Sequence, residues 1–252
     1  MGRVIFIGAG PGAADLITVR GAQRLKLADV VLFDALTDPA LRELAPQARW
    51  VNVGKRGFAD STGQSTINAL LVKHAREANV VVRLKGGDPS VFGRLEEELE
   101  ALAAAGIACE VVPGVTAAIA AAASTLRPLT RRGSGRSVSL TTAMTREGAL
   151  NATRTADTEV FYMAGKQLAA LSRRLIAAGW PADAPTSVVS RAGWPDQLQS
   201  DHRVDTLRDA TVLHAGRPAV VTVGAGAVAL LVEAAPASAS PSPAALREAL
   251  KP

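Results

Sequence analysis

The strongest constraint on this chain is the alternation, through its N-terminal half, of short β-branched runs with amphipathic stretches. Residues 4–7, 30–33, 50–53, 80–84 and 109–112 are short runs rich in Val and Ile, the composition of strands. Between them, residues 14–27, 65–78 and 95–105 carry apolar side chains at helical spacing. In the second of these, Ile67, Leu70, Leu71 and His74 share one face. Strands that alternate with helices read as βαβ units and therefore as a parallel sheet.

The second half repeats the class with a different sheet. Strands are expected at 137–141, 159–163, 186–189 and 219–223, with a helix at 166–178. Short polar strands at 198–202 and 203–206 point to antiparallel pieces and hence a mixed sheet. The stretch RPLTRRGSGR at 127–136 has two glycines, one proline and no periodicity, the signature of a linker. The expected organisation is an α/β domain over 1–126, a linker over 127–136 and a second α/β domain over 137–233. A low-complexity tail, 234–252, has too little apolar area to fold, although 246–250 has the pattern of a helical turn.

Composition excludes several classes. Against 23 acidic residues stand 28 Lys and Arg, a net charge of +5 without a Lys-rich block of the kind found in nucleic-acid arms. Nine aromatics (Phe 5, Trp 3, Tyr 1) are too few for single-strand stacking platforms. The lone cysteine, Cys109, allows no intrachain disulfide and no Cys-based zinc site, and its apolar strand makes it a small core residue. His74, His202 and His214 have no partners at metal spacing, so no metal is expected. No signal-peptide pattern precedes the first strand. The longest uncharged run, 111–126, holds Pro113 and Gly114 and is shorter than the ~20 residues that span a bilayer. The expectation is a soluble, cytoplasmic protein without nucleic-acid or membrane partners.

Four loops carry the chemistry. The first strand opens into Gly8-Ala9-Gly10-Pro11-Gly12-Ala13, which satisfies G-x-G-x-x-G/A, and Asp34 ends the next strand. A dinucleotide fold uses such a loop for pyrophosphate and such an acid for a ribose hydroxyl. Pro11, however, lacks a donor where phosphate wants one, and glycines also serve plain strand-to-helix turns. Both readings stand on this loop alone. Lys85-Gly86-Gly87-Asp88, Pro113-Gly114-Val115-Thr116-Ala117 and Gly54-Lys55-Arg56-Gly57 follow other strands of the set. All leave the carboxyl edge, where ligands of parallel sheets bind, and should converge on one pocket.

The segments GAGPG, ADVVLFD, VGKRG, VVRLKGGDPSVFGR and EVVPGVTAA, in that order and spacing, resemble the uroporphyrinogen-III C-methyltransferases of the tetrapyrrole methylase family. The resemblance runs from Val4 to about Leu230. It implies two α/β domains with S-adenosyl-L-methionine in the cleft between them, usually in a homodimer. It also implies C-methylation of uroporphyrinogen III to precorrin-1 and precorrin-2, on the way to sirohaem or cobalamin, with S-adenosyl-L-homocysteine as by-product. By the same resemblance Asp34 matches the proton acceptor and Lys55 the proton donor. Cofactor contacts fall on Pro11, Gly86, Gly87, Asp88, Val91, Thr116, Ala117, Met163 and Ala192. Substrate contacts fall on Arg94, Glu97, Thr130 and Arg132.

These residue types suit that reaction. Methyl transfer needs the acceptor carbon in line with the methyl group, so positioning supplies much of the rate, and a carboxylate with an ammonium can move the protons. A substrate with eight carboxylates calls for arginine forks; Arg56, Arg94, Arg127, Arg131, Arg132 and Arg136 are the candidates. The chain departs from the usual family pattern at Ser90, Leu95, Glu96, Arg131, Thr142-Ala143-Met144 and Ala192. Several of these touch the tetrapyrrole face that the resemblance implies, which keeps a methyltransferase for a related tetrapyrrole as an alternative. An NAD(P)-dependent oxidoreductase, resting on the first loop and Asp34, is an alternative from another class, and a non-catalytic tetrapyrrole carrier is a third.

Overall fold

The computed structural model describes residues 2–54, 63–144 and 150–230, together with Ala244, Ala245 and Glu248. Lys55, Arg56 and Gly57 of its loop and all but those three residues of the expected tail lie outside them. The chain divides into two compact units, one running to Thr116 and one starting at Ala117.

The first unit is a parallel sheet of β1 (Arg3–Gly8), β2 (Val30–Phe33), β3 (Arg49–Asn52), β4 (Val80–Lys85) and β5 (Cys109–Val112), in the order β3-β2-β4-β1-β5. Helices α1 (Val19–Leu25), α2 (Gln64–Glu77) and α3 (Leu95–Ala104) connect the strands. The alternation along each strand sorts its side chains into two cores. Ile5, Ile7, Val31, Val82 and Leu84 pack with Ala22 and Leu25 of α1. Val4, Phe6, Val30, Leu32 and Val81 pack with Ile67 and Leu71 of α2 and Leu102 of α3. Runs buried on both faces read as continuous hydrophobic segments, which is why these strands were legible.

The long first helix expected at 14–27 is interrupted. A single 3-10 turn, Ala14–Leu16, precedes α1, and Thr18 caps α1 by accepting the Gly21 N–H on its Oγ1 at 3.0 Å. Cys109 is exposed rather than in the core, because β5 is an edge strand and Val112, not Cys109, faces inward.

The second unit begins with α4 (Ala117–Ser124). Its sheet holds β6 (Val138–Thr142), β7 (Thr158–Tyr162), β8 (Pro185–Ser190), β9 (Leu198–Arg203) and β10 (Ala219–Gly224), in the order β6-β7-β10-β8-β9. Only β6 and β7 pair in parallel, so the sheet is mixed. Helix α5 (Leu168–Ala177) covers it with Leu168, Leu171 and Leu175; α6 (Ala210–Leu213) is a single turn. Residues 203–206, expected as a separate strand, instead end β9 and start the 3-10 helix Val204–Asp209, which buries Val204 and Leu207 at a three-residue spacing. The stretch expected as a linker is folded into this unit. Arg131 and Gly135 exchange backbone hydrogen bonds of 2.6 and 2.9 Å, and Arg127 is buried. Among the described residues, no helix is long and apolar enough to cross a membrane.

At the carboxyl edge of the first sheet the backbone itself is the packing surface. A Cβ on Gly114 would stand 2.4 Å from the Gly87 carbonyl oxygen and 2.7 Å from the Gly8 Cα. Neither neighbour is a side chain that can swing away. Gly114→Ala should therefore cost about 2 kcal/mol of stability, the scale of an overpacked core, as measured by urea unfolding; a loss below about 0.5 kcal/mol contradicts this packing.

Candidate active site

Three of the glycine loops meet as the sequence predicts. Strands β4, β1 and β5 are neighbours, so the segments that leave them, 85–88, 8–12 and 113–116, emerge side by side. Ala9 N–H donates to the Lys85 carbonyl at 2.8 Å and Gly10 N–H to the Gly87 carbonyl at 3.3 Å. Gly87 N–H returns to the Gly10 carbonyl at 2.7 Å. The Asp88 carboxylate closes the set: its Oδ2 accepts the Gly114 N–H at 2.8 Å and its Oδ1 the Ser90 N–H at 2.7 Å. Asp88 thus braces one ligand loop against another. Gly87 sits at φ +70°, where a side chain is strained, and a Cβ there would meet nothing closer than the Thr116 Cα at 3.8 Å. Bare backbone of Gly87 therefore stands next to Thr116 with ordinary contact distance for one methyl carbon between them.

This geometry weighs against the dinucleotide alternative. A pyrophosphate loop presents free N–H groups, but those of Ala9 and Gly10 are committed to the neighbouring loop and Pro11 has none. The acid that such a fold turns toward ribose already has one oxygen engaged. Asp34, just past β2 and half-buried, accepts Arg83 Nη2 on its Oδ1 at 2.6 Å.

Arg83 belongs to a cluster that the sequence reading did not single out. Positions 81, 83 and 85 of β4 face α2 and α3; the first is Val, the other two are charged and buried. Arg83 Nε donates to Glu98 Oε1 at 3.1 Å, and Lys85 Nζ donates to Glu98 Oε2 at 2.8 Å. Glu98, on α3, has no exposed surface and also accepts Gln64 Nε2 of α2 at 3.3 Å. Arg83 Nη1 donates to the carbonyls of Leu84 at 3.2 Å and Leu32 at 3.5 Å. Burial pushes the Lys85 ammonium below its ordinary range and nearby Arg83 adds to this, while Glu98 opposes it. Burial also works against the Arg83 guanidinium, but Asp34 and Glu98 outweigh it and hold that group above its ordinary value. The signal was present in the sequence: a charge inside an apolar strand run has to be paired.

In the second unit, Met163 follows β7 in the left-handed region, φ 59°, and is 54% exposed. A non-glycine residue held there carries strain of the kind found at ligand sites. It lines a surface cavity of about 280 Å³ with Lys166, Arg217 and Pro218. Ala192 is buried, and Ala117 opens α4, whose Ala118 N–H donates to the Tyr162 hydroxyl at 3.2 Å.

The arginines sort into two kinds. Arg94 is exposed and forked onto Glu97 through two hydrogen bonds of 2.7 Å. Thr130, Arg132 and Arg136 are exposed. Arg127, expected to meet substrate carboxylates, is instead buried. Its Nη1 and Nη2 grip both oxygens of Asp201, the second at 2.6 Å, and Nη1 also donates to the Ala227 carbonyl at 3.1 Å. The Arg131 Nη2 donates to the Val228 carbonyl. Arg127 is thus tied into its own unit through Nη1 and Nη2, while its buried Nε has no partner among the described residues.

Residues 3–208 match the family model of the tetrapyrrole (corrin/porphyrin) methylases. A uroporphyrinogen-III C-methyltransferase of Pseudomonas aeruginosa is 41% identical over 228 residues, covering 88% of this chain and 93% of the relative. A siroheme synthase of Cronobacter sakazakii is 42% identical over 230 residues, and the match spans only 48% of that longer protein. Among solved structures, the uroporphyrin-III C-methyltransferase of Thermus thermophilus complexed with S-adenyl homocysteine has a TM-score of 0.78 and 36% identity. That match covers 88% of this chain and 97% of the other.

Hydrogen bonds from Arg127 hold the Asp201 carboxyl below its ordinary value, against the burial that opposes them. The stability this adds is present above the usual carboxylate range and is lost as pH falls through the lowered value. Asp201→Asn should cost about 1–2 kcal/mol at neutral pH, the worth of a charged hydrogen bond discounted because Asp201 is half-exposed. In thermal unfolding the gap to the unsubstituted protein should close in acid; a gap that does not depend on pH contradicts the assignment.

Proposed function

Because the chain belongs to the tetrapyrrole (corrin/porphyrin) methylases, we propose that it methylates uroporphyrinogen III on carbon, giving precorrin-1 and then precorrin-2. The observation that carries this reading is one sheet edge. There the three glycine loops are joined backbone to backbone, and Asp34 stands half-exposed with one oxygen held by Arg83.

The residues present fit S-adenosyl-L-methionine, which supplies an electrophilic methyl group on a sulfonium when bound. Pro11, Gly86, Gly87, Val91 and Thr116 are the proposed cofactor contacts of this edge, and Asp88 keeps two of its loops in place while its carboxylate has further acceptor capacity. Ala117, Met163 and Ala192 complete the cofactor assignment. Neutral, polarisable Met163 suits a sulfonium neighbour.

The protein's own part in the chemistry is placement and proton handling. A pyrrole carbon of a porphyrinogen is electron-rich, so holding it in line supplies much of the rate. After the new carbon–carbon bond forms, a proton must leave the ring system. Asp34 is the acceptor: one oxygen is occupied by Arg83, and the other carries no hydrogen bond from the described residues. Lys55, outside the described residues, is the proposed donor. Arg94, Glu97, Thr130 and Arg132 are the proposed substrate contacts, with Arg136 adding positive charge. The reading includes a homodimer acting in the cytoplasm.

Incubation with methyl-labelled S-adenosyl-L-methionine and uroporphyrinogen III should place two labels in a precorrin-2 product. Asp34→Asn should lower kcat about a hundredfold, the usual worth of a positioned base, while remaining folded. No labelled precorrin-2 overturns the substrate assignment; label in another tetrapyrrole favours the related methyltransferase instead.

A further inference from the structure

The buried cluster behind Asp34 is larger than a proton acceptor needs, and it is built from residues that nothing so far gives a part in the reaction. We propose that Glu98 is a positioning residue: acting through Arg83, it fixes the direction in which Asp34 presents its unengaged oxygen. This inference rests on the assignment of Asp34 as proton acceptor.

The Arg83 guanidinium is held at every nitrogen. Nε goes to Glu98, Nη1 to the carbonyls of Leu84 and Leu32, and Nη2 to Asp34. A planar fork pinned at three corners has no rotational freedom left, so the Asp34 oxygen that it holds is pinned as well. Of the corners other than Asp34 itself, only Glu98 supplies charge. Without it, the buried cations Arg83 and Lys85 face one half-exposed carboxylate, and a buried unpaired cation is costly. The easiest relief is for Arg83 to draw Asp34 inward, taking the carboxylate away from the substrate.

Glu98 is itself fixed from several sides. Lys85 Nζ holds its Oε2 and Gln64 Nε2 of α2 approaches its Oε1. The Lys85 stem is packed beneath Gly93, where a Cβ would lie 3.0 Å from Lys85 Cε and 2.5 Å from the Pro89 carbonyl oxygen. On either side of Gly93, Phe92 and Arg94 adopt left-handed backbone conformations, φ 50° and 54°. The strained loop 92–94 leads directly into α3 and sets Glu98 over the strand. Substitution at Glu98 should thus act on turnover more than on the cofactor loops, which it meets only through the Lys85 side chain.

A double-mutant cycle on the full chain tests this. Glu98→Gln keeps the shape and loses the charge. It should lower kcat at least about tenfold, the scale of a misplaced group remote from the chemistry, with the KM for S-adenosyl-L-methionine changed less than about twofold. In an Asp34→Asn background the same substitution should lower kcat by less than about twofold, since nothing is left to position. Should Glu98→Gln fail to fold by circular dichroism, Glu98→Asp, which keeps the charge but withdraws it by one methylene, makes the same two comparisons. Losses that multiply in the double variant, or a kcat near that of the unsubstituted protein, overturn the proposal for Glu98 alone. A normal kcat in Asp34→Asn overturns the acceptor assignment and this proposal with it.

Discussion

The first unit depends on two buried cations, one buried carboxylate and one half-exposed carboxylate where an apolar layer ends. Along β4 the face that packs against α2 and α3 passes from Val81 to Arg83 and Lys85, and Glu98 comes down from α3 to meet them. Burying charge is costly, and the cost is offset only when every partner is in place. The register of β2 on β4, the seating of α3 and the placement of Asp34 are thereby tied to one another. On the proposed reading of Asp34, a sheet edge that offers a reactive carboxylate gains a rigid foundation from the same residues that make its core expensive to disturb.

The second constraint is steric. At Gly8 and Gly114 the backbones of neighbouring loops touch with no space for a side chain, and the N–H groups of Ala9, Gly10 and Gly87 are used in joining those loops. This separates two kinds of glycine-rich turn that look alike in sequence. A phosphate cradle keeps its donors free, whereas here those of Ala9, Gly10 and Gly87 are spent on joining the loops. The same G-x-G-x-x-A spelling serves either end.

Much of this was legible in the sequence. The inner strands β1 and β2, and the start of β4, are continuous apolar runs because they are buried on both faces, and the order of the glycine loops identified the family. What was not legible depends on partners distant in the chain. Arg127 looked like a free cation beside Arg131 and Arg132, and only the fold brings Asp201 to it. Cys109 has the neighbours of a core strand, but β5 lies at the sheet's edge. Glu98 sits in the run Glu96-Glu97-Glu98, where nothing local distinguishes the member that points inward. Residues 203–206 alternate like a strand, yet Val204 and Leu207 were also spaced for a turn of helix, and burial favoured the second pattern.

The central claim is that this edge holds a methyl donor against bare glycine backbone. Calorimetric titration of the folded protein and of Gly87→Ala with S-adenosyl-L-homocysteine, and of the protein with NAD, tests it most directly. The account predicts binding of the homocysteine adduct, a loss of at least about tenfold in affinity in Gly87→Ala (about 1.4 kcal/mol), and no heat with NAD. Binding of NAD, or equal affinity for the adduct in Gly87→Ala, would contradict it.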